Sequence, residues 1–127
     1  MKIHESAENY LEAILVLKQQ KGAVRSIDIA HYLDYSKPSV SRAVNLLREN
    51  GYVTMERDSG WIELTPAGRE IAERINERHQ LMARWLVSLG VSEEVAAEDA
   101  CRIEHDVSEE TFGQLKTHIL TFLEGQI

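Results

Sequence analysis

The stretch from Ser36 to Leu64 constrains the fold more than any other part of the chain. Ser36-Lys37-Pro38 opens it and Asn50-Gly51 divides it. Arg57-Asp58-Ser59-Gly60 then separates Tyr52-Val53-Thr54-Met55 from Trp61-Ile62-Glu63-Leu64. A serine two residues ahead of a proline reads as a helix N-terminus: the hydroxyl caps N–H groups that have no partner within the helix, and a first-turn proline gives up no bond there. Val40, Ala43, Val44 and Leu47 recur at helical spacing and leave Ser39, Ser41, Arg42, Asn45 and Arg48 on the outer face. Asn-Gly closes that helix. The two short runs around a polar turn read as a β-hairpin.

The flanks complete the pattern. Residues 6–20 predict a first helix, with Ser6 as its cap, Tyr10, Leu11, Ile14, Leu15 and Leu17 as its apolar face, and Gly22 as its stop. Ser26 is expected to cap a short second helix from Ile27 to Leu33, followed by a turn at Asp34-Tyr35. Three helices and then a two-stranded hairpin describe a winged helix-turn-helix. Beyond it, Thr65 is placed to cap a long helix from Pro66 to about Leu89, halted by Gly90. Ser92 and Ser108 are placed to cap two more, over residues 93–105 and 109–124. The expected fold is therefore mainly α: an N-terminal winged helix-turn-helix over residues 1–70, then a helical domain over 71–127, which the family resemblance given below implies is a dimerisation domain. The boundary falls inside the long helix.

At 127 residues, one or two small domains are expected, and 43% hydrophobic residues suffice for a core. No apolar run reaches the length of a membrane span, and Glu5, Glu8 and Glu12 interrupt any signal-peptide pattern. A single cysteine makes no internal disulfide and fits a reducing compartment. The expectation is a cytoplasmic protein with no membrane partner. The net charge of −7 is unevenly spread: residues 1–65 carry −1 and residues 66–127 carry −6. The acidic half repels DNA and attracts cations.

In a helix-turn-helix, the N-terminal residues of the recognition helix meet base edges. Here these are Ser36, Lys37, Pro38, Ser39, Ser41 and Arg42. Arg42 suits a bidentate contact to guanine and Pro38 an apolar contact to a thymine methyl. Arg25, Lys37 and Arg57 suit phosphates. The same polar face also suits a winged domain that binds protein.

A second constellation lies in Ala100-Cys101-Arg102-Ile103-Glu104-His105-Asp106. Spacings of three and four put Cys101, Glu104 and His105 on one helical face, where a thiolate, a carboxylate and an imidazole can share a divalent cation. On spacing alone other readings stay open. Cys101 serves as well as a small core residue, His79 as a surface histidine, Glu12 as a solvated helix residue, and Glu104 as the partner of Arg102 or Arg78. His4, His31 and His118 are read as structural or surface residues.

Several segments together resemble the diphtheria toxin repressor and manganese transport regulator family of metal-dependent repressors. They are Glu8-Asn9-Tyr10-Leu11-Glu12-Ala13-Ile14, Ser36-Lys37-Pro38-Ser39-Val40-Ser41, Leu64-Thr65-Pro66-Ala67-Gly68, Arg78-His79 and Cys101-Arg102-Ile103-Glu104-His105. The resemblance runs from end to end in order and spacing. It implies a homodimeric, metal-activated repressor of iron or manganese homeostasis, not an enzyme, that binds a palindromic double-stranded operator. It implies Cys101, Glu104 and His105 as ligands in the iron-type pattern, and Glu12 and His79 as ligands in the manganese-type pattern. Asn9 falls where the family places methionine or aspartate, and Ala83 and Ala97 fall where the iron type has further ligands, so the chain mixes the two patterns. A short form without the C-terminal SH3-like domain of longer members is expected. Fe(II) is the first expected ion and Mn(II) the second, because a thiolate favours softer metals; Co(II), Ni(II) or Zn(II) can substitute. The ion is expected to link the two halves. Self-association is expected through Trp85, Leu86, Leu89, Phe112, Leu115, Ile119 and Phe122, which exceed what so small a domain buries alone. The competing readings are a winged-helix regulator sensing an oxidant or organic ligand through Cys101, and a small metalloenzyme.

Overall fold

The computed structural model describes residues 5–125, without the side chains of Glu5, Ser6 and His105. His4 and the capping role of Ser6 therefore lie outside the described residues. Six helices and one hairpin follow in order: α1 (Glu5–Lys21), α2 (Ser26–Leu33), α3 (Lys37–Glu49), β1 (Val53–Met55), β2 (Ile62–Leu64), α4 (Pro66–Ser88), α5 (Glu93–Asp106) and α6 (Glu109–Glu124). They form two compact units, residues 1–75 and 76–127. The expected mainly α fold, a winged helix-turn-helix and then a helical domain, is what forms.

In the first unit, Tyr10, Leu11, Ile14, Leu15 and Leu17 of α1 are all buried. They meet Ile29 and Ala30 of α2 and Val40, Val44 and Leu47 of α3 in one apolar cluster, which Val53 and Ile62 of the hairpin complete. Packing apolar stripes of three helices against one sheet face is what fixes the helix-turn-helix angle. The turn between α2 and α3 uses Asp34 in the left-handed region, φ 58°, where its N–H donates to the Ala30 carbonyl. Ser36 caps α3 by accepting from the Ser39 N–H at 3.3 Å, with Pro38 in the first turn. The hairpin is antiparallel, with Val53 opposite Leu64, Thr54 opposite Glu63 and Met55 opposite Ile62.

The cap of α2 differs from expectation. Ser26 is the first helical residue, and the extended Arg25 precedes it as N-cap. Asp28 replaces the expected serine cap: its Oδ2 accepts from the Arg25 N–H at 2.8 Å. A carboxylate three residues into a helix satisfies a donor at its start as well as a serine does.

The start of α4 is sewn to the end of α3. Thr65 Oγ1 donates to the Gly51 carbonyl (2.7 Å) and accepts from the Gly68 N–H (3.2 Å). A side chain on Gly68 would place its first carbon 2.0 Å from the Tyr52 carbonyl oxygen, so only glycine fits this approach.

In the second unit, Leu81 and Met82 of α4, Ala100 of α5, and Phe112 and Ile119 of α6 form a smaller core. Ser92 and Ser108 cap α5 and α6 as expected, accepting from the N–H groups of Val95 (3.4 Å) and Thr111 (3.1 Å). Phe112 and Ile119, expected at a subunit contact, are buried within this unit instead. Leu89 and Phe122 remain exposed. Among the described residues, no helix is long and apolar enough to cross a membrane.

Candidate nucleic-acid interface and metal centre

The first turns of α3 carry Lys37, Pro38, Ser41 and Arg42 in the open, with Ser36 also exposed and Ser39 half-buried. The two serines at the start are not equivalent to free readers. Ser36 donates its hydroxyl to Ser39 Oγ at 2.8 Å while accepting the capping bond. Their hydroxyls therefore hold each other and set the helix entry. Behind α3, Tyr10 and Tyr35 meet edge to face, with centroids 5.8 Å apart. Burial, and then the neighbouring Tyr35, raise the Tyr10 phenol above its ordinary value, with Arg42 acting in the opposite sense. That phenol stays neutral and structural.

Arg57 is exposed in the turn between the strands. Arg25 is exposed at the N-terminus of α2, and its guanidinium carbon lies 4.0 Å from the centre of the Trp61 ring. Sequence reasoning missed this stack. Thirty-six positions separate the two residues, and no local pattern marks the pair.

In the second unit, Glu104 is 4% exposed and its Oε2 meets Nε2 of His79 as a close ion pair. Burying a carboxylate away from water is costly unless a positive partner faces it. The arginines considered as partners are engaged elsewhere. Arg102 pairs with Asp99 at 3.4 Å. Arg78 pairs with Glu109 at 3.2 Å and lies 4.2 Å over the Phe112 ring. Two lone-pair atoms in contact need a positive species between them, either a proton or a metal ion. A carboxylate oxygen and an imidazole nitrogen are both donors to divalent transition metals. The pair thus fits such an ion.

Cys101 lies one turn before Glu104 on α5, half-buried and not in a disulfide. His105 follows Glu104 on the same helix, and its side chain falls outside the described residues. Asn9 and Glu12 are half-buried on α1, in the first unit. Among the described residues, no group of three or more His, Cys, Asp or Glu side chains gathers closely enough to hold a metal. Among the described candidate ligands, the structure brings Glu104 and His79 together.

A winged helix-turn-helix followed by a helical unit with a buried carboxylate–imidazole pair defines a two-domain winged-helix protein. Residues 2–61 match a family model described as iron dependent repressor, N-terminal DNA binding domain. Residues 65–124 match the iron dependent repressor, metal binding and dimerisation domain. The transcriptional regulator MntR of Salmonella typhimurium is 38% identical over 107 residues, covering 84% of this chain and 68% of that protein. The MntR regulator of Geobacillus kaustophilus is 36% identical over 121 residues, covering 95% and 85%. Among solved structures, the T. acidophilum IdeR aligns with a TM-score of 0.73 at 30% identity, covering 90% of this chain and 53% of that one. A manganese-dependent transcriptional repressor in complex with manganese aligns at 0.78 and 27%, covering 89% and 52%. The chain spans about half the length of these two solved proteins. It belongs to the iron-dependent repressor family, whose members pair a DNA-binding domain with a metal-binding and dimerisation domain.

Proposed function

We infer that the chain is a metal-dependent transcriptional repressor that binds a palindromic duplex operator as a homodimer. The observation that carries the reading is the buried Glu104–His79 pair, a ligand pair inside the unit that the family uses for metal. The proposed ligands are Cys101, Glu104, His105 and His79, with Asn9 and Glu12 of α1 as the further donors that the resemblance adds. A divalent ion would supply the positive charge that the buried carboxylate calls for. Among the candidate ions, the Cys101 thiolate favours Fe(II), and Mn(II) stands second, supported by the similarity to a manganese-dependent repressor solved with manganese. The exposed Lys37, Pro38, Ser41 and Arg42 are the proposed contacts to bases and phosphates, with Ser36 and Ser39 holding the helix start. Arg25 and Arg57 are the proposed flanking phosphate contacts.

The test selects a duplex from a random library with metal-loaded protein, then measures its binding across Fe(II), Mn(II), Co(II), Ni(II) and Zn(II). Chelator should release the duplex. Cys101→Ala and His105→Ala should keep the fold and lose the metal response, and Cys101→Glu should move preference toward Mn(II). Operator affinity indifferent to chelator, or a full metal response in Cys101→Ala, would end this reading.

A further inference from the structure

Three cations lie near the end of α1, the start of α2 and the hairpin, and they are not alike. Lys18 pairs with Glu63 of β2, and Lys21 pairs with Asp28 at 3.0 Å. The Arg25 guanidinium forms no ion pair among the described residues; it lies over the Trp61 ring. A guanidinium that lies flat on a ring leaves its N–H groups directed outward in the plane, and the 4.0 Å approach of the Arg25 guanidinium carbon to the Trp61 ring centre is close enough for that arrangement. A planar edge of two N–H donors matches two phosphate oxygens.

Both sides of the stack are tethered. The Arg25 N–H is held by Asp28, and the Ile62 N–H, next to Trp61, donates to the Val24 carbonyl, next to Arg25, at 2.8 Å. Asp28, the nearby acid, accepts from the Arg25 N–H and pairs with Lys21, and the Arg25 charge also acts on its carboxylate. An exposed arginine otherwise spreads over many rotamers, and freezing them on binding lowers affinity. Here the ring restricts them beforehand.

We propose that Trp61 is a positioning residue for duplex binding: it holds the Arg25 guanidinium flat, with its N–H edge open, to grip a DNA phosphate. The wing then acts through α2 as well as through its own tip. This rests on the DNA-binding reading above.

The test uses the full chain with Mn(II), a fluorescent mixed-sequence duplex, and a salt titration, because a phosphate contact needs no operator. Arg25→Gln should weaken binding roughly 10-fold and lower the salt slope by about one. Trp61→Leu should weaken it about 3-fold and lower part of that slope. The double variant should match Arg25→Gln alone, and Trp61→Phe, which still stacks, should fall between the parent and Trp61→Leu. Thermal melting checks that each variant folds, and Trp61→Phe carries the comparison if Trp61→Leu does not. A merely structural tryptophan would not share its loss with Arg25. The proposal is overturned if the tryptophan variants bind like the parent with an unchanged salt slope, or if the losses add in full. A parent that binds no duplex would overturn the regulator reading and this one together.

Discussion

The two units of this chain are built to opposite economies. The first, residues 1–75, gathers fifteen buried apolar side chains into one cluster around α1; the second, residues 76–127, gathers five. The first leaves Tyr32, Tyr35 and Leu46 exposed; the second, though smaller, leaves Val87, Leu89, Val95, Leu120 and Phe122 exposed, and it buries two charged side chains, Arg78 and Glu104. A small domain that exposes apolar surface while burying charge draws part of its stability from outside itself, from a second copy or a bound ion. The first unit therefore has the larger core, and the second has a smaller core with charge buried beside it. Such a division suits the switch proposed above, in which the part that changes is the more marginal one.

The sharpest way to break this comparison is to damage the better core. Leu11→Ala, at a fully buried position, should cost the first unit about 2–5 kcal/mol, read from its urea midpoint. If the loss is under about 1 kcal/mol, the first core is less self-sufficient than its packing implies. Gly68→Ala should cost about 1–3 kcal/mol through the collision with the Tyr52 carbonyl, a backbone atom that cannot swing aside. A melting temperature equal to the parent's would show that α4 tolerates a shift there.

Asp28→Asn tests the α2 cap, at about 1 kcal/mol. The Arg25 N–H bond, ahead of the Lys21 contribution, lowers the Asp28 carboxyl below its ordinary 3.8. The sign follows: this stabilisation is present above the unfolded value near 3.8 and fades as pH falls through the lower folded value. The gap between parent and Asp28→Asn should therefore be full at neutral pH and close below about pH 4. A constant gap would remove the charge from the explanation. The smallest folding effect belongs to Leu89→Ser. At 59% exposure it should shift stability by no more than about 0.5 kcal/mol while weakening self-association in sedimentation. Unchanged association would move the contact elsewhere on the second unit.

How much of this was legible depended on distance along the chain. The start of α3 could be read because Ser36, Pro38 and the hairpin turn act within a few residues of one another. The α2 cap was misplaced by one residue because Ser26 has the chemistry of a cap, while the actual device runs between the Arg25 backbone and Asp28. The face shared by Cys101 and Glu104 follows from helix spacing. The choice of His79 over Arg78 or Arg102 as the partner of Glu104 does not, because it depends on how α4 packs against α5. Likewise Phe112 looked like contact surface and proved to be core, where it carries the Arg78 guanidinium. Periodicity marks a residue as apolar; it does not say which of two apolar surroundings will receive it.

The wing is a sheet of only two strands, three residues each, and the Ile62 N–H is already taken by Val24. Longer open strand edges recruit other chains by backbone pairing, with little regard to sequence. So short a ribbon offers almost no template for such pairing. A chain whose second unit matches a dimerisation domain thereby keeps its hairpin out of the competition, and stray aggregates have little purchase on the unit that matches a DNA-binding domain.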